Sequence, residues 1–160
     1  DQPLALWSGD GAVVANNILV AEDGTPLSFD RGTENVRVDY NLTVPAVAAD
    51  VSRRTSNGSH NLTGDPRFVD RNKGVFWLRA DSPAIGKGAV QYAPATDFWG
   101  RPRPKDKAPD LGAFPFDLSL TRDQVRAEWD HGWPYHRHGT EAGLPDPWTL
   151  PAEAARGSQE

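Results

Sequence analysis

The chain has 160 residues, of which 38% are hydrophobic, and a formal net charge of −5, so it is one domain or part of one. Fourteen prolines and fifteen glycines favour a turn-rich β protein over a helical bundle. Without cysteine the chain forms no disulfide, and without an apolar run of about 18 residues it is predicted to have no transmembrane helix. The acidic balance argues against a nucleic-acid binder.

Three segments within residues 1–64 share one pattern, in which an asparagine precedes an aliphatic residue and a β-forming residue. They start at Asn17, Asn41 and Asn61, so the spacing is 24 and then 20 residues. Spacings of about 20–50 residues are typical of solenoids with one turn per repeat. Stacked asparagines are then expected to form an inward ladder of amide hydrogen bonds. The alternative, that each asparagine is an ordinary turn residue, stays open.

Short β-forming runs at residues 12–15 and 36–40 predict further strands between these repeats. Residues 46–60 are more polar and include Arg53, Arg54 and His60. We interpret them as a loop that departs from the repeats. Such a loop either borders a substrate groove or is solvated.

The segment 64–116 carries the densest pattern of turns and short apolar runs. Residues 68–69 and 75–78 are β-forming. In the second run, Phe76 and Leu78 alternate with Trp77, which is the period of a strand with one buried face.

The same segment contains turns rich in glycine and aspartate. Residues 82–88 are predicted to form a tight apolar turn in which Gly86 or Gly88 takes a positive φ. Asp97 and Asp110 are each followed closely by an apolar residue and a glycine. We expect both carboxylates to accept main-chain N–H bonds in turns.

Four ordered blocks in this segment carry a resemblance to a known family. They are residues 65–70, 82–88, 97–102 and 110–114, within a stretch that covers about a third of the chain. They resemble the C-terminal end of right-handed parallel β-helix proteins of the pectate-lyase-like superfamily, in the group labelled choice-of-anchor domain proteins. Gly86 departs from the aspartate that is more frequent in the family, which removes a turn hydrogen bond but keeps the fold.

The resemblance implies a solenoid cap and a superfamily rich in polysaccharide-active proteins. It carries over no catalytic residue, because this region is structural in the family. Residues 101–107 hold four cations between prolines, which predicts an extended and partly exposed stretch. We interpret the stretch as a solvated connection within the cap, with contact to an acidic sugar as the alternative.

Residues 117–160 are predicted to begin with one short helix. Thr121 and Gln124 form a capping box at its start, and Gly132 ends it. An extended tail with aromatic anchors is expected to follow, and residues 152–160 are expected to be disordered.

Candidate chemistry is sparse. His131, His136 and His138 near Asp130 suit either a metal site or ordinary surface histidines, and no spacing of a known metal site accompanies them, so none is predicted. Hydrolysis of a polysaccharide needs two carboxylates at a defined separation, and no spacing selects a pair. The early carboxylates available are Asp10, Asp23, Asp30, Glu34 and Asp39.

Lyase chemistry needs a base beside a group that neutralises the sugar carboxylate. The set available for this chemistry is Arg53, Arg54, His60 and Lys73. Arg53, Arg54 and His60 are therefore taken as candidate substrate-binding residues, and the catalytic residues stay unassigned. No cofactor is evident, and Ca²⁺ enters only if the protein is a lyase.

The sequence thus predicts an all-β fold that is a right-handed parallel β-helix. Residues 1–64 are its last rungs, residues 65–116 its C-terminal cap, and residues 117–160 a short helix and extended tail packed on the solenoid. The first rung would expose an apolar cross-section and open backbone groups. The chain has no methionine, so we expect that it starts at Asp1 after a cleavage or that it was cut from something longer. We expect an N-terminal remainder to complete it, with a second chain as one possible form of that remainder.

The expected function is the C-terminal portion of an extracellular or periplasmic bacterial carbohydrate-active enzyme, either a polysaccharide lyase or a glycoside hydrolase. The alternative is a non-catalytic module for carbohydrate binding, adhesion or surface attachment. An enzyme should place a carboxylate pair or a cation–Ca²⁺ cluster on one solenoid face, whereas a binder should place exposed aromatic residues there. The expected ligand is a polysaccharide or oligosaccharide, with no nucleic acid and no membrane span.

Overall fold

The computed structural model describes residues 3–7, 9–22, 24–30, 32–47, 55–73, 75–98 and 100–116. The chain divides into two compact units, residues 1–69 with 77–116 and residues 70–76 with 117–160. Within the described ranges the regular structure consists of strands and two 3₁₀ turns, so the predicted all-β class is confirmed. No helix in these ranges has the length and apolar character needed to cross a membrane.

The strands are short, because each spans only the few residues between two turns. Their bounds are β1 Leu4–Leu6, β2 Val13–Ala15, β3 Ile18–Val20, β4 Leu27–Phe29, β5 Val36–Asp39, β6 Leu42–Val44, β7 Thr55–Asn57, β8 Leu62–Thr63, β9 Phe68–Asp70 and β10 Val75–Leu78. The 3₁₀ turns are Arg71–Lys73 and Val90–Tyr92.

Three of the sheets are built from parallel strands. The sheet orders are β1-β4, β2-β5-β7 and β3-β6-β8, and β9 and β10 form a further pair. The pairing Val13↔Arg37↔Ser56 runs across one sheet, and Leu42↔Leu62 joins two strands of another. An isolated antiparallel bridge joins Thr96 and Pro102.

The amide ladder predicted from the sequence is confirmed. Asn17 donates its main-chain N–H and its Nδ2–H to Oδ1 of Asn41, at 3.0 and 3.1 Å. Asn41 donates in the same way to Oδ1 of Asn61, at 3.1 and 3.2 Å. Asn41 Nδ2 also donates to the carbonyl of Val14 at 2.8 Å, and its side chain is fully buried. Each step has the same polarity, since the earlier asparagine donates and the later one accepts.

Apolar side chains alternate inward along the strands. In β5, Val36 and Val38 are each 1% exposed, whereas Arg37 between them is exposed. This alternation follows from the two-residue period of a strand. Val36 and Val38 pack with Val14, Leu19 and Leu27 in one cluster. Burial of each such side chain contributes about 1.5–3 kcal/mol relative to exposure.

A second cluster joins the ladder strands to residues 65–116, for which we keep the short name cap. Leu42, Leu78, Ala84 and Leu111 are its buried members. Leu42 and Leu111 are fully buried, and the main-chain N–H of Leu111 donates to the carbonyl of Ala84 at 3.1 Å. The main-chain hydrogen bond therefore joins the two ends of residues 84–111, and apolar packing holds them against the strands.

Asn16 anchors the cap to the first turn of the ladder. Its Nδ2 donates to the carbonyl of Ala89 at 2.9 Å, and its Oδ1 accepts the N–H of Ala89 at 2.8 Å. Its own carbonyl accepts the N–H of Gly112 at 2.8 Å. One residue thus makes three contacts with two separate stretches of the cap.

The turn predictions for the cap are confirmed. Asp97 accepts the N–H of Arg101 at 2.9 Å, and Asp110 accepts the N–H groups of Gly86 and Phe116, both at 2.7 Å. Gly86 takes the predicted positive φ, at 63°. Both carboxylates therefore have structural partners.

Two sequence interpretations are wrong. The sequence predicts a loop over residues 46–60, but Thr55–Asn57 within them form β7, which pairs in parallel with β5. Its polar composition hides it, since Ser56 lies in register with the outward residue Arg37. The sequence predicts one buried face for β10, but Trp77 and Leu78, which lie on opposite faces, are both buried. Trp77 packs on Phe114 with ring centroids 5.1 Å apart.

Residues 101–107 are partly exposed as predicted, with one exception. Arg103 is only 8% exposed. Its Nη2 donates to the carbonyls of Gly112 and Ala113 at 3.0 and 3.2 Å, and its Nε donates to that of Thr96 at 3.3 Å. The predicted helix from Thr121 and the extended tail, in residues 117–160, lie outside the described residues.

Candidate functional site

Two additional residues create the candidate site. They lie in the third turn of the chain, which is the turn that ends at the ladder residue Asn61. In the first two turns a single residue separates the strand end from the ladder asparagine, Asn16 with φ 61° and Tyr40 with φ 55°. In the third turn, Gly58, Ser59 and His60 occupy this interval before Asn61. The ladder still closes at Asn61, so the longer connection must project from the strands. His60 consequently reaches Asp39 on the outer face of the sheet.

Asp39 is the buried anchor of this site. It shares the outward side of β5 with Arg37, because the two residues are two positions apart, and its side chain is only 1% exposed. Its carboxylate accepts the N–H groups of Tyr40 and His60 at 3.1 and 3.2 Å. Arg37 Nη2 donates to it at 3.1 Å, and His60 Nδ1 lies 3.2 Å away.

Gly58 is required by the close approach of this carboxylate. A Cβ atom built on Gly58 would lie 1.8 Å from the carboxyl carbon of Asp39 and 2.0–2.1 Å from its oxygens. No side chain fits in that space. The glycine therefore lets the third turn cover Asp39.

The hydrogen bonds keep Asp39 ionised. Burial by itself raises the pKa of a carboxyl group, and it is the largest single influence on Asp39. The hydrogen bonds from Arg37, from His60 and from the main chain act together in the opposite direction and leave the pKa of Asp39 below its ordinary value of 3.8. The same hydrogen bond to Asp39 raises the pKa of Arg37, which is therefore a permanent cation.

Asp39 also fixes the ring of His60. Because an ionised carboxylate only accepts hydrogen bonds, the Nδ1 atom facing it must carry the proton. Nε2 is then the atom that remains for other partners, and the hydroxyl of Tyr40 lies 3.5 Å from it. The His60 and Tyr40 rings stack with centroids 4.2 Å apart and planes 7° apart. The His60 side chain is 52% exposed, so a ligand can reach it.

A cation and a second tyrosine complete the site. The Arg37 side chain is 49% exposed, and its guanidinium carbon lies 6.0 Å from the ring centroid of Tyr92. The Tyr92 and Tyr40 rings lie 6.4 Å apart. We call Arg37, Asp39, Tyr40, His60 and Tyr92 the His60 cluster. It combines an oriented imidazole, two phenols and an accessible positive charge.

Comparisons with known proteins add no assignment. No family model, curated protein or solved structure matches the chain. The geometry of the His60 cluster is therefore the basis of the function proposed below.

The structure brings only one of the sequence candidates into the cluster. His60 is a member, whereas Arg53 and Arg54 lie outside the described residues, as do His131, His136 and His138. Lys73 lies in the 3₁₀ turn Arg71–Lys73, and its side chain is outside the described part.

Sequence reasoning missed most of the cluster. Asp39 stood among five unranked carboxylates, and Arg37, Tyr40 and Tyr92 were not singled out. The spacing Arg37-x-Asp39 in a β-forming run was a usable signal, because it places opposite charges side by side on one strand face. Tyr92 gave no such signal, since it enters through the cap.

The cluster does not suit Ca²⁺. That ion takes six to eight oxygen ligands, many from carboxylates. Asp39 is the one carboxylate of the cluster, its oxygens already accept several hydrogen bonds, and the Arg37 guanidinium adjoins it. Within the described residues no three His, Cys, Asp or Glu side chains are placed to hold a metal.

Proposed function

We propose that the parallel sheets are the last turns of a right-handed parallel β-helix of the pectate-lyase-like superfamily, closed at its C-terminal end by residues 65–116. The in-register returns of the chain support this architecture, since Asn17, Asn41 and Asn61 stack after 24 and 20 residues. The turn hydrogen bonds of Asp97 and Asp110 support the cap, because they fall in the blocks that carry the family resemblance.

Further turns of the same kind stack on β1, β2 and β3 in this proposal. Among the described residues each of these strands is paired on one side only, and no donor reaches Oδ1 of Asn17. The expected partner is an N-terminal remainder of the β-helix that supplies an asparagine donor. A second copy of this end would oppose acceptor to acceptor at Asn17.

The function that the His60 cluster supports best is β-elimination in an acidic polysaccharide, the reaction of a polysaccharide lyase, in an extracellular or periplasmic setting. The observation that carries it is the imidazole of His60, oriented by buried Asp39 and exposed beside Arg37. A general base must lie within reach of the proton that it removes, with its tautomer fixed. Arg37 supplies the positive charge that a uronate carboxylate needs.

The proposed step balances within the cluster. His60 Nε2 removes the proton α to the uronate carboxyl, and the electron pair forms a carbon–carbon double bond as the β carbon–oxygen bond breaks. The leaving oxygen takes the proton of the Tyr40 hydroxyl. The Tyr40 phenolate then recovers a proton from His60 Nε2, 3.5 Å away. Arg37 stabilises the negative charge that grows on the carboxyl group in the transition state.

Hydrolysis is the weaker candidate for this cluster. Glycosidases of both common kinds use two carboxyl groups that flank the scissile bond. The His60 cluster contains a single carboxyl group, that of Asp39, and a sugar cannot contact this group because it is buried.

A non-catalytic carbohydrate-binding module is the second candidate. Phe98 favours it, because 49% of this aromatic residue is exposed and aromatic platforms are typical of sugar-binding sites. The two candidates differ in whether His60 is needed for turnover or only for binding.

The deciding experiment uses the chain with whatever co-purifies with it. Polygalacturonate, alginate and other polyuronides are incubated with it, and the ultraviolet absorbance of an unsaturated uronate is followed. Product should form, His60→Ala should abolish it, and Arg37→Ala should raise KM. Arg79→Ala is the matched control, since Arg79 is equally exposed and pairs with Asp81 outside the cluster. Absence of product across the panel, or full activity of His60→Ala, would overturn the lyase proposal.

The intact mass of co-purifying polypeptides tests the architecture separately. A second β-rich polypeptide that remains bound under native conditions supports the missing turns. A lone chain that melts cooperatively argues against them.

A further inference from the structure

A cleft of about 550 Å³ opens next to the His60 cluster and is used by none of the chemistry above. Such a volume lies in the range of about 300–1,000 Å³ that is typical of ligand sites. Asn16, Asn17 and Ile18 line one side of it, and the cap lines the rest, including Tyr92 and Phe98. Tyr92 thus belongs to both the cleft and the cluster, so a ligand chain bound at His60 can extend into the cleft past this ring.

The cleft has a rigid aromatic wall. Phe98 packs on Phe114 with ring centroids 5.0 Å apart, and Phe114 packs in turn on buried Trp77. The exposed side of Phe98 is therefore held in place before any ligand arrives. A fixed, half-exposed aromatic ring suits the apolar face of a sugar and loses little conformational entropy on binding.

The charges of the cleft are internally balanced. Asp97 is paired with Arg101, with Nε and Oδ2 2.8 Å apart. Arg103, the one cation among the described residues that line the cleft, is only 8% exposed, and its Nε and Nη2 donate to main-chain carbonyls. Asp110 accepts two main-chain N–H groups and keeps further lone pairs on its oxygens. A bound group therefore meets the carboxylate of Asp110, which suits hydroxyl groups, and no well-exposed cation among the described lining residues.

We infer that the cleft binds a neutral, hydroxyl-rich sugar residue next to the uronic acid that Arg37 binds. This inference rests on the proposed function, and it narrows the substrate class to a heteropolysaccharide in which a uronic acid adjoins a neutral sugar. Two uronates in a row would place the second carboxylate next to the carboxylate of Asp110, which would repel it.

The test compares two ligands of equal length by calorimetry on the whole chain. One is an oligomer of uronic acid alone, and the other alternates uronic acid with neutral sugar. The alternating oligomer should bind about tenfold more tightly, and Phe98→Ala should remove this preference. Val90→Ala is the matched control, because Val90 is 46% exposed and lies outside the cleft.

The outcomes separate this inference from the lyase proposal. An alternating oligomer that binds with the Phe98 dependence supports the sugar subsite even if no polymer is cleaved. Equal affinities for the two oligomers, or a preference that survives Phe98→Ala, overturn the subsite even if His60-dependent cleavage is observed. Failure of both oligomers to bind overturns it as well.

Discussion

The α-carbon of Gly58 lies so close to Asp39 that a Cβ atom there would sit 1.8 Å from the carboxyl carbon. We predict that Gly58→Ala displaces the third turn and lowers the free energy of unfolding by about 1–3 kcal/mol, as overpacking of a buried site does. It should also release His60 from Asp39. Chemical denaturation measures the first effect, and the NMR shifts of the His60 ring report the second.

Gly9→Ala is the control for this substitution. A Cβ atom on Gly9 meets its nearest neighbour, the Cβ of Ala12, at an ordinary contact distance of 3.7 Å. Its stability should be close to that of the wild type. Equal stability of Gly58→Ala and Gly9→Ala would contradict the packing described for Asp39.

The depressed pKa of Asp39 predicts a loss of stability in acid. As pH falls through the ordinary carboxyl value of 3.8, the unfolded chain binds a proton that the folded chain does not. The stability from Asp39 is therefore full above that value and is lost as pH falls through the lower, folded pKa. The slope from this one group is at most about 1.4 kcal/mol per pH unit.

Asp39→Asn should flatten this acid slope, although it also lowers stability at neutral pH. Denaturation midpoints measured as a function of pH provide the comparison. Asp106→Asn, at an exposed carboxylate, should keep the slope of the wild type. An unchanged slope in Asp39→Asn would show that Asp39 is not the group that titrates.

The ladder predicts that replacing its central residue, Asn41, strongly lowers the free energy of unfolding. Asn41→Ala leaves the N–H of Asn17 and the carbonyl of Val14 without their side-chain partner. Each buried group left unpaired costs about 1–3 kcal/mol, so we expect a large fall in the free energy of unfolding. Asn72→Ala, at an exposed position of the 3₁₀ turn, should have little effect. Similar denaturation midpoints for the two variants would rule out the ladder as a stabilising element.

The cap contact of Asn16 can be removed without straining the backbone. Asn16→Gly keeps the left-handed φ of 61° but deletes both side-chain bonds to Ala89. Hydrogen exchange at the Ala89 amide should accelerate by about tenfold or more, given about 0.5–1.5 kcal/mol for each bond. Exchange at Gly112, which bonds to the main chain of Asn16, should change less.

Asn35→Gly is the matched control for this experiment. Asn35 also has a left-handed φ, of 54°, and its side chain bonds to Asp10 on the exposed surface. It should leave exchange at Ala89 unchanged. Equal protection of Ala89 in Asn16→Gly and the wild type would mean that the cap is held by other contacts.

Local rules in the sequence account for much of the fold. The asparagine spacing predicted the ladder, because asparagines that recur once per turn stack in register and can hydrogen-bond to one another. Asp97 and Asp110 were recognised as turn acceptors from their neighbouring glycines. By contrast, β7 was missed because a polar strand in register with Arg37 needs no apolar pattern of its own.

The candidate site was less predictable, because its geometry depends on which turns become neighbours. His60 was selected for its chemistry, but the partner that orients it is 21 residues earlier in the chain. Arg103 shows the reverse case. The basic, proline-rich stretch around Arg103 predicts a solvated side chain. In the structure the Arg103 guanidinium instead donates to main-chain carbonyls, and no sequence pattern identifies a carbonyl as a partner.

The two residues added before Asn61 have an evolutionary consequence. The stacked amides fix only where each turn ends. The number of residues between two ladder asparagines can therefore change without breaking the stack, as the change from 24 to 20 residues illustrates. New side chains can therefore be inserted on the outer face while the interior stays intact. Related chains should differ most in the length of these outer intervals, so a search for a fixed repeat length would pass over them.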